Sequence, residues 1–200
     1  EYPFHRVCGE YISNEVIPFL KSLDINVADF RAAQISKLEI TSASGKKLSQ
    51  KLDIGGFGLS RYKFDHFLYR KALAEGVNFL LNTRVEDIIF QDDEFRIITP
   101  TQTLTVPIVI GSFGKRSNLD QKLKRNFFSK RSPYVGVKYH IKTDFPRNLI
   151  QLNNYKNGLY NISTQAFSNC DSATFGFFQP KIHSIIYPNY EFKIASILFP

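Results

Sequence analysis

Residues 35–54 read ISKLEITSASGKKLSQKLDI, with apolar and polar side chains alternating on both sides of Ser44-Gly45. A period of two means extended strands, and the Ser-Gly pair marks the reversal between them. An antiparallel hairpin over 35–54 is therefore expected. GGFGLS follows and reads as a glycine-rich loop. Then RYKFDHFLYRKALAEG places Phe64, Phe67, Leu68 and Ala72 on helical spacing, with Gly76 as the residue that ends the helix. A period-2 segment running straight into a period-3.6 segment points to a mixed α/β chain.

The flanking segments extend this reading. Ser13 caps a short helix that ends near Asp24, Glu15 places a carboxylate in its first turn, and Pro18 limits its early hydrogen bonding. After Gly76 come the runs VNFLLN, VEDIIFQ, EFRIITP and QTLTVPIVIG, with turns at Asp92-Asp93 and at 100–102. They predict a β-meander. PIVIGSFG reads as a buried strand entering a glycine turn, and Ser117 or Asn118 caps a following helix. From Tyr134 the pattern becomes antiparallel β, so a domain boundary is expected near 131–133. The last forty or so residues are rich in Phe, Tyr and Ile and show no usable period.

Length allows one large domain, or one domain and part of another. The first residue is Glu and Met is absent from all 200 positions, which suggests a segment of a longer protein. No apolar run reaches the roughly 18 residues a membrane span requires. Cys8 and Cys170 are far apart and His5, His66, His140 and His183 are scattered, so neither a disulfide scaffold nor a metal site is expected. A reduced, cytoplasmic setting fits this cysteine usage.

The formal net charge is +8. Seven of the basic residues and a single Asp fall within 115–131. That stretch is either a solvated helix face or an attraction for phosphate or an anionic membrane surface, which would make the protein peripheral to a membrane. A basic, aromatic-containing chain could also be a nucleic-acid-binding module without catalytic activity. No RNP, KH or helix-turn-helix pattern supports that alternative, so no specific nucleic-acid partner is expected.

Three glycine-bearing turns recur ahead of helices: Cys8-Gly9-Glu10, Gly55-Gly56-Phe57-Gly58 and Gly111-Ser112-Phe113-Gly114. Each either serves chain reversal alone or brings backbone donors close to an anionic ligand. None is a P-loop or a GxGxxG. Their order and spacing, however, together with Arg61, Phe64-Asp65, Leu68, Ala72 and Gly76-Val77, resemble the FAD-dependent oxidoreductases of the geranylgeranyl-reductase and aromatic-hydroxylase type. The resemblance runs from about Tyr2 to Ser163. In the third turn Gly111, Gly114 and Ser117 match the family signature, but Phe113 stands where the family has Asp.

The resemblance implies a partial glutathione-reductase-type FAD-binding domain over 1–132, with the hairpin 35–54 inserted, followed by the start of an antiparallel β-rich substrate domain over 133–200. It implies FAD as cofactor, NAD(P)H as reductant and an apolar substrate, isoprenoid-like for a reductase or aromatic for a monooxygenase. Arg61 would lie near the ribityl or diphosphate portion of the flavin. Val85 would offer backbone contacts near the adenine, and Gly111 and Gly114 would approach the cofactor. Arg6, Cys8 and Gly9 would run beside the isoalloxazine, with Cys8 as the catalytic candidate or else an inert thiol. Glu10 is either a cofactor contact or a carboxylate that is solvated or caps a helix dipole. The family's GxGxxG would lie before Glu1 and its later Gly-Asp motif after Pro200.

Overall fold

The computed structural model describes residues 3–5, 8, 10–114, 117–125, 135–141, 145–156, 158–164, 172–178 and 192–198. Two compact units emerge. One is Gly76–Ser132, and the other joins Tyr2–Glu75 to Pro133–Pro200. The unit boundaries thus fall at 75/76 and 132/133, and the larger unit is discontinuous in sequence.

The larger unit is built on an eight-stranded mixed sheet. Its strands are β1 (Tyr11–Ser13), β2 (Ala33–Thr41), β3 (Lys47–Gly58), β7 (Val135–Ile141), β8 (Leu149–Tyr155), β9 (Gly158–Thr164), β10 (Ser172–Phe178) and β11 (Phe192–Leu198). They lie in the order β1-β3-β2-β8-β9-β10-β7-β11. The expected hairpin is β2–β3, with Gly45 at φ 83° in its turn. Across it Glu39 meets Lys47 at 2.7 Å, and this cation holds the Glu39 carboxyl below its ordinary range. Beyond the hairpin, β2 pairs in parallel with β8, from Lys37 opposite Leu149 to Thr41 opposite Asn153. The remaining pairings of this sheet are antiparallel.

GGFG is not a loop. Gly55–Gly58 form the end of β3, where Tyr11, Ile12 and Ser13 pair with Gly58, Phe57 and Gly56. The glycines here serve close approach. A Cβ at Gly56 would fall 2.4 Å from the Tyr11 ring and 2.5 Å from the Ile12 carbonyl. Phe57 and Leu59 are fully buried and join Leu20, Ile25 and Val27 in the core. Each such side chain contributes about 1.5–3 kcal/mol by leaving water.

Helix packing completes this core. Ser13 caps a 3-10 turn over Asn14–Val16, which leads into α1 (Ile17–Ser22) with Pro18 in its first turn, where the missing donor costs nothing. α2 spans Arg61–Ala74 and turns Phe64, Phe67 and Leu68 onto the core cluster. Phe30 meets Phe64 and Phe67 edge-on, with ring centroids 5.8 and 4.9 Å apart. Gly76 follows at φ 85°, the left-handed conformation that ends the helix.

The smaller unit holds the expected meander, β4 (Asp87–Gln91), β5 (Glu94–Ile98) and β6 (Thr103–Val106), in that spatial order. Asp92 and Asp93 both take positive φ, as a two-residue turn of this hand requires. The Thr99 hydroxyl closes the next turn on Gln102. The helix expected after Ser117 is one turn, α3 (Leu119–Lys122), and the Ser117 hydroxyl accepts the Leu119 N–H at 3.1 Å.

Two expected strands are absent from this unit. VNFLLN is irregular over 77–82, enclosed between Gly76 and Asn82, both at positive φ. PIVIG is not a buried strand: Ile108 is 76% and Ile110 85% exposed. Both runs have strand composition, but among the described residues neither has a partner strand to take its N–H and C=O groups.

The Gly56 contact is the sharpest packing constraint in the fold. Gly56→Ala is expected to cost about 2–3 kcal/mol by overpacking. Gly45→Ala meets no atom within 4 Å and should cost only the roughly 1 kcal/mol of a left-handed alanine. Urea unfolding of the two variants checks the order.

Candidate functional site

The larger unit gathers a cluster of polar and ionisable side chains where the segment before β1 meets the start of α2 and strand β7. Its members are His5, Cys8, Glu10, Ser60, Arg61, Tyr62, Asp65 and Lys138. Arg61 opens α2, because Ser60 ends β3's outgoing segment and gives its carbonyl to the Phe64 N–H at 2.9 Å. One turn on, Asp65 takes the Arg61 guanidinium in a two-point grip, Nε to Oδ1 at 2.7 Å and Nη2 to Oδ2 at 3.1 Å. This grip raises the Arg61 pKa, so the side chain is a permanent cation held in one orientation. As an i,i+4 helix pair it stabilises by only about 0.3–0.5 kcal/mol, so orientation is its main effect.

Glu10 is the surprise. Sequence offered a cofactor contact or a carboxylate that is solvated or caps a dipole; the residue is 1% exposed. Its Oε1 accepts the Arg61 backbone N–H at 2.8 Å, so it caps α2 from across the chain. The same oxygen forms an ion pair with the Lys138 Nζ, and Lys138 is fully buried. Burial lowers the Lys138 pKa, and the Glu10 charge opposes that shift. Glu10 itself sits at φ 56°, a left-handed conformation costly for a residue with a Cβ. Its carbonyl accepts the Leu59 N–H at 3.0 Å, and its own N–H reaches the Cys8 sulfur at 3.5 Å.

Cys8 is a half-buried free thiol, close enough to Arg61 to help hold the guanidinium's pKa up. His5 stacks on Tyr62 with ring centroids 4.6 Å apart. Burial, then the nearby Lys138 charge, lowers its pKa. Ser60 is fully buried, and its hydroxyl has no hydrogen-bond partner.

Of the residues expected to bind a cofactor, Cys8 and Arg61 come together here. Arg6 and Gly9 lie outside the described residues, as does Cys170. Val85, Gly111 and Gly114 belong to the other unit. Val85 is half-buried before β4, Gly111 is exposed beside the Phe113 ring, and Gly114 is exposed at φ 69°. No group of His, Cys, Asp and Glu suited to a metal ion occurs among the described residues. Among them too, no helix is long and apolar enough to cross a membrane.

Lys138 and Ser60 were not foreseen. In YVGVKYHIK, Lys138 alternates with apolar neighbours, a pattern that names no partner for it. Only the arrival of Glu10, from a segment distant in sequence, makes it a buried partner. Ser60 carried no signal beyond its place before a helix.

No family model and no curated protein matches this sequence. Solved structures do match. The flavin-dependent halogenase CmlS superposes with a TM-score of 0.71 at 13% identity, over 90% of this chain and 36% of its own. A geranylgeranyl bacteriochlorophyll reductase-like protein from Thermoplasma acidophilum gives 0.67 at 16% identity, over 88% and 48%. The halogenase PltM, solved in complex with phloroglucinol and FAD, gives 0.66 at 13% identity, over 94% and 47%. The chain has an FAD-binding oxidoreductase-type fold. It spans between about a third and a half of the length of these structures. Within this flavoprotein-type fold, the Cys8–Arg61 cluster lies in the motifs whose order first suggested the likeness.

Two outcomes follow from the electrostatics. Glu10→Ala leaves Lys138 as an unpaired buried cation and is expected to destabilise the fold by about 3–5 kcal/mol in denaturant unfolding. His5 has a folded-state pKa below its ordinary 6.5, so the unfolded chain binds the proton more readily. The stability His5 contributes is complete above 6.5 and is lost as pH falls below it. His5→Gln is expected to flatten the pH dependence of the melting temperature below about pH 6.5.

Proposed function

We propose that this chain is part of an FAD-dependent oxidoreductase, a reductase or monooxygenase acting on an apolar, isoprenoid-like or aromatic substrate with NAD(P)H as electron donor. The observation that carries this reading is the fold likeness, which extends over about nine-tenths of the chain to flavin-dependent halogenases and a reductase-like protein alike. The residues present fit part of a flavin nucleotide. A rigid guanidinium at Arg61, a third of its side chain exposed, suits its phosphate or ribityl oxygens.

When bound, FAD supplies the electron transfer; the protein orients the ring and tunes the field around it. Arg61, locked by Asp65, is a fixed positive charge for that task. Cys8 is the candidate for contact with the reacting edge of the ring. Val85, Gly111 and Gly114 are the candidates in the smaller unit, where glycines permit close backbone approach.

The full-length protein is expected to purify yellow, with the absorbance bands of bound flavin, and to be bleached by NADH or NADPH. Arg61→Ala is expected to weaken FAD binding about tenfold or more in a fluorescence titration, as loss of a charge-assisted contact would. A colourless protein that ignores added FAD and binds oligonucleotides with a steep salt dependence would instead be the basic nucleic-acid-binding module.

A further inference from the structure

We infer that Glu10 and Lys138 form a buried positioning pair that fixes Cys8 and Arg61 relative to one another. That the pose so fixed serves a flavin rests on the function proposed above.

The argument begins with topology. Glu10 immediately precedes β1, the first strand in the spatial order of the large sheet, while Lys138 lies in β7, the seventh. At about 4.8 Å per strand, six steps across a flat sheet separate such residues by roughly 29 Å. Their ion pair therefore requires the sheet to curve or bend out of a plane until β1 and β7 approach. Glu10 stands where they meet, and its backbone and one carboxylate oxygen tie three stretches of chain together, at Cys8, at 59–61 and at Lys138. Its N–H goes to Cys8, its carbonyl to Leu59, and Oε1 to both the Arg61 N–H and Lys138.

Stability does not account for this arrangement. A buried ion pair commonly does no better than a well-packed apolar pair of the same size. Glu10 also carries left-handed backbone strain that a glycine would avoid. What the pair does supply is geometry. The carboxylate fixes the first N–H of α2, and hence the base from which the Arg61 side chain projects. Its backbone fixes the Cys8 sulfur on the same side. Lys138 prevents the carboxylate from rotating away. Neither residue needs to touch a ligand, so both are positioning residues.

The test uses full-length protein in a Cys170→Ser background, with Glu10→Gln, Lys138→Met and the double variant. Each single variant leaves one buried charge unpaired and should melt well below the parent. The double variant removes both charges and should melt within about 4 °C of the parent. If the pair positions Cys8, the double variant still alkylates at Cys8 about fivefold faster or more with iodoacetamide in the flavin-free protein, because the local structure is loosened. Its FAD affinity also falls about tenfold, and the visible circular dichroism of bound flavin changes.

Wild-type alkylation, affinity and dichroism in a stable double variant would overturn the proposal and leave the pair purely structural. Should the double variant not fold, Lys138→Arg keeps the charge and alters its reach. An alkylation rate changed by about twofold or more supports positioning, and an unchanged rate overturns it. A wild-type protein that takes up no FAD defeats the flavin reading, while the alkylation arm still decides the pair.

Discussion

A fully buried lysine can keep its charge only if an anion reaches it, and here the anion comes from the opposite end of the sheet. The Glu10–Lys138 contact is thus a condition on the shape of the larger unit as well as a local bond. The sheet must curve or bend out of a plane for the two residues to meet. Once they meet, the entry to β1, the exit of β3 and the first turn of α2 are fixed together. The polar cluster at that junction sits beside the apolar core of Phe57 and Leu59.

The division of labour in this unit is clear. The aromatic contacts of Phe30 with Phe64 and Phe67, and the close approach of Tyr11 to Gly56, hold the helix and the short edge strand in place. The charged cluster adds little net stability for its size, because desolvation offsets much of the attraction between opposite charges. It adds orientation instead. Arg61 is gripped at both ends, by Asp65 on its side chain and by Glu10 on its backbone. A cation held in that way needs no rearrangement to meet an anionic group, which is what an electrostatic site requires.

Local pattern made much of the architecture legible. The alternation over 35–54, the 3.6 period over 61–74, Gly76 as terminator and Asp92-Asp93 as a turn are all short-range signals, and each matches an element of the structure. The misreadings share one cause. GGFG looked like a loop because glycines disfavour strands, but here they admit the Tyr11 ring and the Ile12 carbonyl. PIVIG and VNFLLN looked like strands because their composition suits one, yet a strand exists only with a neighbour. Lys138 drew no expectation, because alternation along a strand cannot report a contact made from a distant segment. For the site, Arg61 and Cys8 could be named from their motifs, whereas the residues that bind them together could not. Glu10 was noticed, but its burial and its partner depend on tertiary structure alone.

The parallel ladder between β2 and β8 sets a constraint in time as well as space. Glu39 and Gln151, joined side by side in the finished sheet, are 112 residues apart. During synthesis the hairpin can close as soon as it leaves the ribosome, since its contacts are local. Its second neighbour does not yet exist, and the whole of the other unit must be made first. Through that interval β2 has an open edge, the template on which pairing with another chain begins.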